Sequence, residues 1–241
     1  MSKTFYRNKG GSKDNIVISI AGAHGVGKST IYDIIKKRVE DNNKFKFFPE
    51  RYKKIPPFPF GSSNKQTAFR SELHFLQQLM RRNKSVFFFD EKYNGRILIL
   101  DRTPLCVLIY SKSLNLKEKD YQLILDTYNS IKWKEDYIVY LTAKPDTILK
   151  RIIQRGSLEK LRREWNETEK KYLLTILSYY NQFLSSEDIK DKVFTIDTDL
   201  LTPEDVVEKI EEITENLSGH SFKKSFKPPT SQMSLIKFLK E

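Results

Sequence analysis

The sequence predicts an α/β protein with three layers, helices on both sides of a central five-stranded parallel sheet. Three observations predict it. Continuous apolar runs at residues 16–20 (IVISI), 97–100 (ILIL) and 137–141 (YIVYL) are the signature of strands buried on both faces. Each run is followed by apolar residues at helical spacing, and strands alternating with helices fold as a parallel sheet covered on each side. Between the first run and the first helix stands a glycine-rich turn, GAHGVGKST, placed as phosphate-binding loops are placed.

Each element has its own justification. Residues 29–40 carry Ile31, Ile34, Ile35 and Val39 on one helical face. Residues 45–48 (FKFF) form a second strand that ends at Pro49-Glu50, and the three prolines of KKIPPFPFG exclude regular structure after it. Residues 66–82 have helical spacing. The ILIL strand stops at Asp101 and the YIVYL strand at Thr142, with Pro145 close behind. Residues 192–196 give a last strand. A last helix spans 203–215, with Thr202 as its cap and Pro203 at its first position.

At 241 residues the chain suits one well-buried domain with tails. The expected division is a basic tail (1–14), the domain (15–217), a flexible basic linker (218–231, SGHSFKKSFKPPTS) and an apolar terminal peptide (232–241). No run approaches the roughly 20 apolar residues of a membrane helix, and the first fifteen residues lack the apolar core of a secretion signal. The single cysteine, Cys106, excludes an internal disulfide and a thiolate metal cluster. The expectation is a soluble intracellular protein, cytoplasmic or associated with the nucleoid or nucleus, with no membrane partner. A formal charge of +12 is split +3, +5 and +4 between residues 1–14, the core and residues 218–241. Such a charge favours polyanionic partners, nucleotides and nucleic acid among them.

The turn fits G-x-x-x-x-G-K-[ST] without a mismatch and defines the three-layer P-loop NTPase fold. Gly22, Ala23, His24, Gly25, Val26 and Gly27 present backbone N–H groups to phosphate oxygens at a helix N-terminus. Lys28 reaches the β- and γ-phosphates of ATP, Ser29 offers a hydroxyl to Mg²⁺, and Thr30 stands beside it. His24 reads as a variable loop position.

Three further features bear on whether the phosphate is transferred. Glu50 and Arg51 follow the second strand, at the edge where parallel sheets form their ligand crevice, and a carboxylate there can take a proton from an attacking hydroxyl or hold a sugar hydroxyl. Asp101 and Arg102 end the third strand, where Asp101 can hold Mg²⁺ and Arg102 can grip an acceptor. Arg151 and Arg155, four apart on one helix face, begin an arginine-bearing lid at about 151–165 that also carries Arg162 and Arg163.

These motifs together (GAHGVGKST, PER, LDRTP, YLTAKPDTILKRIIQRG, a long helix with Tyr172, and VFTID) resemble the thymidylate kinase and deoxynucleoside kinase group over residues 16–217. The resemblance implies an ATP- and Mg²⁺-dependent kinase acting on a nucleoside or nucleoside monophosphate. It makes Glu50 the general base, Arg102 the acceptor-site arginine of the D/E-R-[STY] motif, and Arg151 and Arg155 the lid arginines. Asp101 is the thymidylate kinase form of that motif, whereas Pro49-Glu50 is the nucleoside kinase form. A base-reading glutamine is expected on the helix at 66–82, with His74, Gln77 and Gln78 as candidates. Kinases of this group are commonly dimers, and the aromatic segment at 170–184 offers one candidate interface beside its role in the core.

The terminal peptide QMSLIKFLKE places Leu235, Phe238 and Leu239 on one side of a helical turn with Gln232 before them. It resembles the peptide by which replication and repair proteins bind the sliding clamp PCNA, except that Leu239 stands where an aromatic residue is usual. Two other readings are a 5′-hydroxyl polynucleotide kinase acting on DNA or RNA ends and a non-catalytic ATP-binding adaptor of the clamp.

Overall fold

The computed structural model describes residues 14–50, 61–155 and 166–222. Residues 1–13 of the basic tail, Arg51, the lid segment 156–165 with Arg162 and Arg163, and residues 223–241 with Gln232, Leu235, Phe238 and Leu239 lie outside the described residues.

Five parallel strands, β1 (Ile16–Ala21), β2 (Phe45–Phe48), β3 (Ile97–Asp101), β4 (Tyr137–Thr142) and β5 (Val193–Asp197), form one sheet in the order β2-β3-β1-β4-β5. The central strands β1, β3 and β4 are buried nearly end to end, which is why they read as unbroken apolar runs. Seven α-helices cover the sheet among the described residues: α1 (Lys28–Arg38), α2 (Lys65–Lys92), α3 (Cys106–Ser113), α4 (Glu118–Asn129), α5 (Pro145–Gln154), α6 (Lys170–Leu184) and α7 (Pro203–Ser218). No helix of the described residues is long and apolar enough to cross a membrane.

Two elements run past their expected ends. Helix α2 continues ten residues beyond Arg82 to Lys92, because 83–92 contains no proline or glycine and Val86 and Phe89 close over the β2 side of the sheet. Helix α7 ends at Ser218, with Gly219 left-handed at φ 72° as its stop. The chain then folds back: Phe222 is buried edge-on against Phe45 at 5.4 Å, and its N–H donates to Glu211 Oε1 at 2.9 Å. Residues 218–222, expected in the linker, are therefore packed on the domain.

The Thr202 cap forms as expected and as a full capping box, since Thr202 Oγ1 accepts from Asp205 N and Asp205 accepts from Thr202 N.

Candidate active site

Strand register decides which side chains meet. Ile20 of β1 pairs with Asp101 of β3, so the phosphate loop leaves the sheet directly beside the Asp101–Thr103 turn. Phe48 of β2 pairs with Leu100, which puts Glu50, two residues on, level with Arg102. The two side chains join: Arg102 Nε donates to Glu50 Oε2 at 2.8 Å. Arg102 achieves this from a left-handed backbone, φ 72°, an uncommon conformation for a residue other than glycine.

Both partners are mostly withdrawn from water, Glu50 with 8% and Arg102 with 21% of the side chain exposed. Burial pushes the Glu50 carboxyl up while Arg102 pulls it down, and the net direction is upward. Burial opposes the charge on Arg102, but Glu50 with Tyr110, Cys106 and Asp101 together more than offset it, so Arg102 is held charged well above its ordinary value.

The loop itself is closely packed. A Cβ on Gly22, at φ 144°, would lie 2.4 Å from the Leu141 carbonyl oxygen, and one on Gly25, at φ 77°, would lie 2.6 Å from Ile152 Cγ1; neither position admits a side chain. Lys28 is buried with its Nζ donating to Gly22 O and Ala23 O, both at 2.8 Å. Burial first, and the charge of Arg102 second, bring its pKa down to about 7. Ser29 and Thr30 are exposed at the start of α1.

His24, expected as a variable position, is a strut. Its Nε2 donates to Glu167 O at 3.1 Å, its ring stacks on Tyr172 at 6.0 Å, and its backbone N–H donates to Tyr110 Oη at 3.1 Å. Burial lowers its pKa to about 4, so the ring is neutral at physiological pH.

Arg151 and Arg155 both line a cavity of about 280 Å³ with Gly25, Val26, Thr30 and Thr198. Arg151 is anchored in its wall, donating to Thr198 O at 2.6 Å, Thr198 Oγ1 at 2.9 Å and Val26 O at 3.2 Å. Arg155, at the C-terminal end of α5, is exposed.

Helix α2 supplies a residue that the sequence reasoning missed. Among the candidates for base reading, Gln77 is exposed and His74 and Gln78 are partly so. It is Glu72, 3% exposed, that lies within electrostatic reach of Arg102 and Glu50. Burial raises its pKa to about 8. Tyr172 is near enough to feel it, and the Tyr172 hydroxyl and Ser71 Oγ of the same α2 face are buried with no hydrogen-bond partner among the described residues. The one sequence signal for Glu72 is its place on the buried stripe Ala68, Ser71, Glu72, Leu76, Leu79.

A divalent cation would find protein oxygens at Ser29, on the solvent side of the loop, and at Asp101, beside it. No group of three or more His, Cys, Asp or Glu among the described residues could hold a metal unaided. That suits Mg²⁺, which keeps most of its shell as water and phosphate.

The site and fold define a phosphoryl-transferring P-loop enzyme. A family model for deoxynucleoside kinase matches residues 18–218, and the chain belongs to the deoxynucleoside kinase family; it is a nucleoside kinase that binds nucleotide. It is 24% identical over 205 residues to the deoxyadenosine/deoxycytidine kinase of Bacillus subtilis (strain 168), covering 81% of this chain and 90% of that one. Among solved structures it is similar to deoxyadenosine kinase from M. mycoides with bound dATP, at TM-score 0.66, 25% identity, 83% of this chain and all of the other. Thymidylate kinase from Candida albicans shares the fold at TM-score 0.64 and 16% identity, over 86% of this chain and 94% of that one.

Proposed function

We propose that the protein transfers the γ-phosphoryl group of ATP to the 5′-hydroxyl of a deoxynucleoside, deoxyadenosine or deoxycytidine, with Glu50 as general base. The observation that carries this reading is the Arg102–Glu50 pair. Because Glu50 offsets the Arg102 charge and Glu72 is a second carboxyl within electrostatic reach of both, a monophosphate dianion would meet two carboxyl groups there. An uncharged nucleoside hydroxyl suits that setting.

In this reading Glu50 accepts the proton of the attacking hydroxyl, and its raised pKa keeps it basic enough to do so. Arg102 orients Glu50 and the sugar. Lys28 and the loop amides hold the β- and γ-phosphates, while the cavity lined by Val26, Arg151 and Thr198 takes the rest of the nucleotide. Arg155 supplies charge from the edge of the cavity. Ser29 and Asp101 would hold Mg²⁺, which would supply charge neutralisation on the phosphate oxygens. Glu72, neutral below about pH 8, both donates and accepts hydrogen bonds, which fits the amino-bearing edge of adenine or cytosine. The names of the B. subtilis and M. mycoides relatives support those two bases.

The test is transfer of labelled γ-phosphate from ATP to each deoxynucleoside, each monophosphate and a 5′-hydroxyl oligonucleotide. Deoxynucleosides are expected to take the label, with turnover falling about 10²- to 10⁴-fold in Glu50→Gln while nucleotide binding persists. Faster labelling of monophosphates or of the oligonucleotide would overturn the reading. Recruitment to a sliding clamp through Gln232, Leu235, Phe238 and Leu239 is proposed on the sequence pattern alone, and clamp binding that survives deletion of residues 232–241 would remove it.

A further inference from the structure

Arg102 must hold an unfavourable backbone conformation to reach Glu50, so something must hold Arg102. The side chains packed under the Asp101–Thr103 turn do this. Arg82 on α2 is 2% exposed; one of its terminal nitrogens donates to Asp101 O, and the other donates to Arg102 O at 2.8 Å. One planar fork thus grips two successive carbonyls at the end of β3, a geometry that lysine cannot reproduce. On the next residue, Thr103, which is fully buried, Oγ1 donates to Glu135 Oε2 at 2.9 Å and accepts from Leu105 N at 3.3 Å. From above, the Arg102 N–H donates to Ile20 O at 3.0 Å. Three consecutive residues are therefore fixed from α2, from β1 and from the segment before β4.

We propose that Arg82 and Glu135 are positioning residues. They lock the Asp101–Thr103 turn in the left-handed conformation that aims the Arg102 guanidinium at Glu50 and the acceptor. Neither touches the acceptor; both act through Arg102. The fork also accounts for a full guanidinium in the core, since the Asp101 and Arg102 carbonyls satisfy its terminal nitrogens there. The inference rests on the acceptor role given above to Arg102.

The experiment is steady-state kinetics of the full chain carrying Arg82→Lys, alone and combined with Arg102→Lys, together with Glu135→Gln and Glu135→Leu. Arg82→Lys is expected to lower kcat about 10- to 100-fold, the size of a misplacement of about 1 Å, with KM for MgATP changed less than about twofold. On top of Arg102→Lys the same change is expected to cost less than about twofold, because its target is already gone. Glu135→Gln, which keeps the acceptor, is expected to retain activity that Glu135→Leu loses. Undiminished kcat in Arg82→Lys, or an equal loss in both Arg102 backgrounds, would overturn the inference. If Arg82→Lys does not fold, the Glu135 pair decides, and equal activity of Gln and Leu there overturns it. Failure of the unaltered protein to phosphorylate any nucleoside would instead remove the function proposed above.

Discussion

Lys28 carries the most quantitative prediction. In the loop its amine lies against Gly22 O and Ala23 O, and burial with the nearby Arg102 lowers its pKa to about 7. Two acceptors are what a neutral amine can satisfy with its two hydrogens. When a triphosphate enters, its negative charge favours the ammonium form, so binding must draw a proton from solution wherever the free amine is neutral. At pH 8 most of the free amine is neutral and binding is expected to take up most of a proton, whereas at pH 6 the uptake is expected to be small. Affinity falls correspondingly, by about tenfold for each pH unit above 7. Calorimetric titration with Mg²⁺ and a non-transferable ATP analogue, in two buffers of different ionisation enthalpy, reads the uptake as the difference in heat. Lys28→Met supplies the background from every other group. Uptake at pH 8 that is equal in the two proteins would refute the reasoning, and so would nucleotide affinity that does not weaken between pH 7 and 9.

Glu72 predicts a pH dependence of folding as well. Its carboxyl is protonated in the folded protein up to about pH 8 but ionised in the unfolded chain above 4.5, so stability is expected to fall as pH rises through that window, by at most about 5 kcal/mol from this group. Glu72→Gln should flatten the profile, and chemical denaturation at pH 5 and pH 8 measures the difference. Phe222→Ala removes a ring buried on Phe45 and is expected to cost about 3 kcal/mol. Thermal melts of that variant, beside a chain truncated after Leu217, test whether residues 218–222 belong to the domain.

The sheet was legible because strands buried on both faces must be apolar throughout, and the phosphate loop because its chemistry is local to eight residues. Glu50 and Arg102 were legible one at a time, each from its place at a strand end. Their pairing depends on the register Phe48–Leu100 and on the left-handed Arg102, neither of which a linear pattern records. Glu72 and Arg82 were invisible for a different reason. An acid or a base on an amphipathic helix reads as solvated surface, and only the fold shows that these two are buried against the ends of β2 and β3. The length of α2 was obscured by Phe87, Phe88 and Phe89, whose consecutive rings carry no 3.6-residue period. Phe222 lay in a segment whose composition is that of a linker, and one aromatic residue outweighed its polar surroundings.

Arg151 stood at the start of the expected lid, yet its guanidinium is fastened to Thr198 and Val26, and Ile148 and Ile152 of the same helix press on Gly25. Helix α5 is thereby part of the foundation on which the phosphate loop stands. The two arginines of one helical face have thus parted company: Arg151 is masonry, and Arg155 stands exposed at the end of the wall.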